Sequence, residues 1–277
     1  MIPSAPASGD LKGQLAVVTG GGGGIGAEIA AGLAAAGAVV ALVGRNETLL
    51  NTAVEEIRTA GGEALALVAD VSSEVQVADI GGSLGSRYKG VDLLVNNAGI
   101  LGETGRWWET PPGDWWRVME INLKGAMLCV QTFLPGMLAR GKGRIVNLAS
   151  NAGAAPIPGL CPYGVSKAAL LRLTDSLSED LRGTGVKTFA VSPGLVKTDL
   201  SRKLPAYDRI SQNQWHSSDP IRELCIAIAA GLLDQLSGRY LHAIDDIKAL
   251  IQEAAQIVTE DLYTLRLRTP TKPYSRM

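Results

Sequence analysis

Residues 163–167 read Tyr-Gly-Val-Ser-Lys. On a helix, positions i and i+4 lie on one face, one turn apart, so this spacing sets the Lys167 ammonium beside the Tyr163 phenol. The chain has six tyrosines, and only this one has a lysine four residues on. A free phenol has a pKa near ~10, too high for a general base at neutral pH. A neighbouring cation favours the phenolate and brings the group toward the working range. The same spacing also fits an ordinary solvated helix face, so the pair alone leaves both readings open.

A second stretch with chemical potential is Thr-Gly-Gly-Gly-Gly-Gly-Ile-Gly, residues 19–26. It follows an apolar run and leads into a helical pattern. Glycines there permit a tight turn and let a pyrophosphate approach backbone N–H groups at a helix N-terminus. The stretch is therefore a candidate dinucleotide-binding loop. The next apolar run ends Ala-Leu-Val-Gly-Arg-Asn. NAD sites place an acid near this point for the adenosine ribose, but here Gly44 is uncharged and Arg45 follows. A guanidinium pairs with a 2′-phosphate bidentately, which favours NADP(H), with NAD(H) as the alternative.

Apolar runs at 15–19, 39–43, 65–69, 91–95, 144–148, 186–191 and 239–243 are continuous rather than alternating, as expected of strands buried on both faces. Amphipathic stretches of helical length lie between them, and Ser73 with Gln76 has the spacing of a capping box. The pattern predicts a single-domain α/β fold: a Rossmann-type, doubly wound parallel sheet of about seven strands with helices on both faces. The expected organisation is a flexible leader over 1–11, the sheet domain over 12–245, and a helical extension over 246–277 packed on it. Residues 199–219 show no clean period, and a segment that long reads as a lid or substrate-binding loop.

Bulk properties exclude several classes. A net charge of −1 and a pI near 6.2 favour neither nucleic acid nor an anionic membrane. The longest apolar stretch, 27–43, contains Glu28 and glycines and fits helix-plus-strand better than a membrane span. The three cysteines, Cys129, Cys161 and Cys225, lack metal-site spacing, and the two histidines make a His-based metal centre improbable. Reduced thiols in a cytoplasmic protein are expected.

Four further fragments complete a pattern: Asn-Asn-Ala-Gly at 96–99, Asn122, Ser150, and Ser-Pro-Gly-Leu-Val-Lys-Thr at 192–198. With the glycine loop and the Tyr-Lys pair, the chain resembles the main single-domain branch of the short-chain dehydrogenase/reductase family over about residues 12 to 200. The resemblance implies a catalytic set of Asn122, Ser150, Tyr163 and Lys167. It implies cofactor contacts from Gly20, Gly23, Gly24, Ile25 and Gly26 of the glycine loop, and from Arg45, Asp70, Val71, Asn97, Ala98, Gly99, Tyr163, Lys167, Pro193, Gly194, Val196 and Thr198. Under it, Tyr163 exchanges a proton with the substrate oxygen, Ser150 orients that oxygen, Lys167 donates to the nicotinamide ribose, and Asn122 holds a water leading from Lys167 to solvent. The implied reaction interconverts a carbonyl and a secondary alcohol by hydride transfer to or from NADP(H).

The chain departs from the family pattern at its end, where Asp245 and Asp246 replace the usual glycines. A homodimer or homotetramer is expected, with 114–139 as its contact face and the C-terminal segment reaching a neighbour or covering the active site. Trp107, Trp108, Trp115, Trp116 and Trp215, with Tyr207, serve either packing or an apolar, aromatic substrate. The competing function is a non-catalytic dinucleotide sensor or scaffold; epimerisation, dehydration and enoyl reduction are the other chemistries for such a tyrosine.

Overall fold

The structure, a computed structural model, describes residues 11–204 and 207–267. Most of the expected leader therefore lies outside the described residues. Leu11 does not behave as a leader: it is fully buried, and its N–H donates to the Ala36 carbonyl.

Strands and helices alternate. They are β1 (Leu15–Thr19), α1 (Gly24–Ala35), β2 (Val39–Gly44), α2 (Glu47–Thr59), β3 (Glu63–Val68), α3 (Glu74–Gly85), β4 (Leu93–Asn96), α4 (Pro112–Met119), α5 (Gly125–Arg140), β5 (Gly143–Leu148), α6 (Asn151–Ala154), α7 (Cys161–Asp180), β6 (Val186–Ser192), α8 (Asp219–Ala229), β7 (Tyr240–His242), α9 (Ile247–Gln252) and α10 (Ala254–Thr259). The seven strands form one parallel sheet in the order β3-β2-β1-β4-β5-β6-β7. The order reverses between β1 and β4, so a crevice opens outside the carboxyl ends of these strands.

β1 is buried along its whole length, as its unbroken apolar run requires, and its side chains feed two cores. Val18, Leu42 and Val95 pack with Ile29, Leu33, Leu224 and Ile228 from α1 and α8 on one face. Val17, Val43 and Leu94 pack with Ile80, Cys129 and Phe133 from α3 and α5 on the other. Burial of each such aliphatic side chain contributes roughly 1.5–3 kcal/mol. Strand bounds depart from the expected ones by one or two residues: β3 starts at Glu63, β4 starts at Leu93, and β7 is only three residues long.

The capping box at Ser73 forms by half. The Ser73 side chain accepts from the Gln76 N–H, but the Gln76 side chain accepts from the Asp70 N–H instead of Ser73.

The C-terminal segment folds back on its own sheet. The Tyr240 N–H donates to the Tyr263 carbonyl at 2.8 Å, pairing the free edge of β7. Buried Arg239 bonds Asp261 at 2.6 Å, and Arg266 bridges Asp261 to Asp175 of α7. Asp261 and Tyr263 both adopt positive φ (53° and 58°). A bulky Tyr pays for that region with roughly 1–2 kcal/mol, so the ionic clamp holds a strained turn in place. Asp261→Ala leaves Arg239 buried without this carboxylate, and we expect a loss of about 2 kcal/mol in urea unfolding. A loss below ~0.5 kcal/mol would show that the strap contributes little.

Candidate active site

The site forms where β1, β4, β5 and β6 end. The turn after β1 needs glycine at two places. Gly20 has φ +66°, and a Cβ on it would stand 2.8 Å from Asn97 Nδ2. A Cβ on Gly26 would stand 2.2 Å from the Gly20 carbonyl oxygen. Asn97 fills the space so created: its Nδ2 donates to the Thr19 and Gly20 carbonyls. Thr19 Oγ1 accepts from the N–H groups of both Asn97 and Ala98, at 3.0 Å each. The glycine loop and the turn after β4 are thus fastened into one floor.

Above it lies a cleft of about 240 Å³, lined by Gly20, Gly23, Gly24, Ile25, Asn97, Ala98, Gly99, Tyr163, Lys167, Pro193 and Thr198. Eleven sequence-derived candidates therefore share one cavity. Leu148, Ala149, Asp199 and Leu200 also line it and were not among those candidates. Leu148 and Ala149 end a strand and carry no chemical signature, and Asp199 and Leu200 begin the aperiodic segment. Gly26 sits beneath the floor, and Val196 pairs with His216 in an isolated bridge. Gly194 (φ +78°) abuts the His216 ring.

Tyr163 and Lys167 lie in the first turns of α7, at 9% and 4% exposure. That removes the solvated-face reading of the pair. The Lys167 ammonium sits 5.5 Å from the Tyr163 ring centroid and donates to the Leu148 carbonyl. Burial lowers the Lys167 pKa to about 8. Burial also raises the Tyr163 pKa, opposed by the Ser150 hydroxyl bonded to it. Desolvation thus works against ionisation of the phenol, and the Ser150 hydroxyl works for it. Ser150 is placed by local geometry, since its Oγ caps α6 by accepting from the Ala152 N–H at 3.2 Å.

Asn122 lies in a π-helical turn, Glu120–Lys124, between α4 and α5. Such turns recur at functional sites. Its Oδ1 accepts from the Ile100 N–H, and its Nδ2 donates to the Ile100 carbonyl and to Ser166 Oγ, all at 2.8–3.0 Å. Both amide hydrogens are spent on protein, so the side chain ties the turn after β4 to α7.

At the adenosine end, Arg45 Nη1 is 3.9 Å from Asp70 and its side chain is 64% exposed. Asp70 is fully engaged: Oδ1 accepts from the Ser72 N–H and Oγ, and Oδ2 accepts from Arg117 at 3.2 Å. The serine bonds and Arg117 hold the Asp70 pKa below the usual carboxylate range, against burial. Arg117 escaped sequence reading because α4 carries no motif. Val71 is buried against Gly125. Trp107, Trp108 and Trp116 are exposed, Trp115 packs edge-on to Trp116, and Trp215 pairs with Tyr207. None of the five tryptophans lines the cleft.

Among the described residues no cluster of three metal-ligating side chains occurs, and no helix is long and apolar enough to cross a membrane. The cysteines are free; burial pushes Cys129 and Cys225 up to about 12.

Comparison with known proteins agrees with this geometry. The short chain dehydrogenase family model matches residues 14–208. A short chain dehydrogenase of Pseudocercospora fijiensis is 33% identical over 266 residues, 89% of this chain and 85% of that protein. The 2-dehydro-3-deoxy-L-rhamnonate dehydrogenase (NAD(+)) of Sphingomonas sp. is 38% identical over 72% of this chain and 78% of its own length. A gluconate 5-dehydrogenase from Burkholderia cenocepacia, solved with NADP and tartrate, superposes with TM-score 0.77 at 32% identity, covering 83% of this chain and 93% of that one. The chain belongs to the short chain dehydrogenase family and is an NAD(P)-binding oxidoreductase.

Proposed function

We propose that this protein is an NADP(H)-dependent oxidoreductase that interconverts a carbonyl and a secondary alcohol, with Tyr163 as general acid/base. The observation that carries this reading is the buried Tyr163 hydroxyl, bonded to Ser150 and sharing one cleft with Lys167 and the glycine floor. The floor fits a dinucleotide: Gly20, Gly23, Gly24 and Ile25 line the cleft where the N-terminus of α1 begins. When bound, the nicotinamide supplies or accepts the hydride. Ser150 orients the substrate oxygen and stabilises charge on it. Tyr163 gives its proton to that oxygen in reduction and takes it back in oxidation. Lys167, which keeps its charge at neutral pH, supports the phenol, and Asn122 acts as a positioning residue. NADPH consumption against a panel of ketones tests the reading. The absence of any ketone-dependent consumption would favour the non-catalytic sensor.

Because burial holds the Tyr163 proton, alcohol oxidation should rise from neutral toward alkaline pH, and carbonyl reduction should fall there. Initial rates in both directions check this. An oxidation rate independent of pH would contradict it.

Arg45 stands free enough to meet a 2′-phosphate, with Asp70 at 3.9 Å as a partial competitor. NADPH should therefore bind about ten- to a hundredfold more tightly than NADH, worth ~1.5–3 kcal/mol for a charge-assisted contact. Arg45→Asp should reverse the order. Equal affinities in fluorescence titration would overturn the preference.

Residues 199–219 serve as a lid. Leu200 and Leu204 pack on the cluster of Leu101, Ala152, Leu160 and Tyr163, and three short 3-10 turns follow. These leucines give one flank of the substrate space an apolar character. The two deeply buried free thiols suit a reducing compartment such as the cytoplasm.

A further inference from the structure

Pro193 and Thr198 both line the cleft, with Leu195, Val196 and Lys197 running between them. This wall lies beyond Ser192, the last residue of β6, so the sheet no longer fixes it. The far end of the lid does. The His216 N–H donates to the Leu195 carbonyl at 2.8 Å, and Val196 pairs with His216 in the parallel bridge. The Leu195 N–H in turn donates to His216 Nδ1 at 3.2 Å. One residue thus engages both backbone groups of Leu195, one through its main chain and the other through its ring.

The backbone donor decides how the ring is turned. Rotated by half a turn, the imidazole would present a carbon to the Leu195 N–H and leave it without this acceptor. With Nδ1 accepting, the neutral ring carries its proton on Nε2. The ring lies against Gly194, where φ is +78° and an added Cβ would stand 3.0 Å from Nδ1. Further contacts join the same two segments. The Lys197 ammonium donates to Gln212 Oε1 at 2.7 Å and lies 5.7 Å from the Trp215 ring centroid. At the other end of the wall, Thr198 is bracketed locally: its N–H donates to Ser201 Oγ, and its Oγ1 accepts from the Ser201 N–H.

We propose that His216 is a positioning residue for the dinucleotide: by clasping Leu195 it holds the 193–198 wall in place, with Pro193 and Thr198 set toward the cofactor. This inference rests on the reading of that wall as cofactor-binding, given above. It assigns the far end of the lid a task separate from covering the substrate.

The test compares His216→Leu with His216→Asn in the full chain. Leucine fills the space without an acceptor. Asparagine Oδ1 stands as many bonds from the backbone as Nδ1 and accepts from the Leu195 N–H in its place. In fluorescence titrations with NADPH and NADH, affinity should fall about tenfold in His216→Leu, as for one hydrogen bond left unmade. In His216→Asn it should stay within about twofold of wild type. With a ketone that the wild type reduces, kcat at saturating cofactor should fall less than about threefold, so that the loss appears in KM for the cofactor. Tyr163, Ser150 and Lys167 are untouched by either change. Independently of any variant, the Leu195 and His216 amides should exchange slowly with deuterated water in cofactor-free wild type.

Unchanged affinity in His216→Leu, or equal losses in both variants, would overturn the proposal. Losses of kcat and affinity in step would overturn it too, as would rapid exchange at both amides, because the wall is then not clasped before the cofactor arrives. A wild-type protein that binds neither dinucleotide would remove the cofactor reading itself.

Discussion

Tyr163→Phe should abolish ketone-dependent NADPH consumption, lowering kcat by about 10³-fold, within the range for loss of a general acid. The reasoning is local. The ring packs with Leu101, Ala152 and Leu160, and phenylalanine keeps that packing. Only the hydroxyl goes, and with it the bond to Ser150. Stability should change by less than about 1 kcal/mol, in line with one neutral hydrogen bond. NADPH binding should persist, because the glycine floor is untouched. Steady-state rates beside a cofactor titration check both halves. A variant that retains more than about a tenth of the activity would take Tyr163 out of the proton transfer. A variant that loses cofactor binding would make its role structural.

The second large effect belongs to the floor. Gly26→Ala puts a methyl 2.2 Å from the Gly20 oxygen, 2.5 Å from Asn97 Nδ2 and 2.9 Å from the Gly20 carbonyl carbon. Two of these neighbours are backbone and cannot rotate away. The loop must open, breaking the Asn97 bonds to Thr19 and Gly20. We expect a loss of about 3 kcal/mol in urea unfolding, at the upper end for overpacking, together with loss of NADPH binding. Gly23→Ala is the control. Its φ is extended at 178°, and an added Cβ meets nothing within 4 Å. Stability should hold there while affinity falls, because the methyl enters the cleft. Equal tolerance at both positions would mean the tight approach at Gly26 is not needed.

The sheet and the reactive set were legible because their signals are local and repeated. Continuous apolar runs mark strands with two buried faces, and β1 is buried throughout. The glycine loop announces its own geometry, and Tyr163 and Lys167 share a helix face by spacing alone. What stayed hidden depends on pairing across long separations. Arg117 meets Asp70 from 47 residues away, and Arg266 meets Asp175 across 91; no pattern within either segment announces the partner. The burial of Tyr163 stayed hidden for a related reason. Spacing shows the cation, but it does not show how completely water is excluded. Asn122 was placed correctly on a helix, but not in a π-helical turn with its amide consumed by Ile100 and Ser166.

The most direct measurement follows an isotope. NADPH deuterated at the transferable nicotinamide position is turned over with a ketone, and the product alcohol is examined by mass spectrometry and NMR. One deuterium should appear on the new carbinol carbon with wild-type protein, and essentially none should form with Tyr163→Phe. Unlabelled alcohol from the wild type, or label formed equally well without the Tyr163 hydroxyl, would contradict hydride transfer assisted by that phenol.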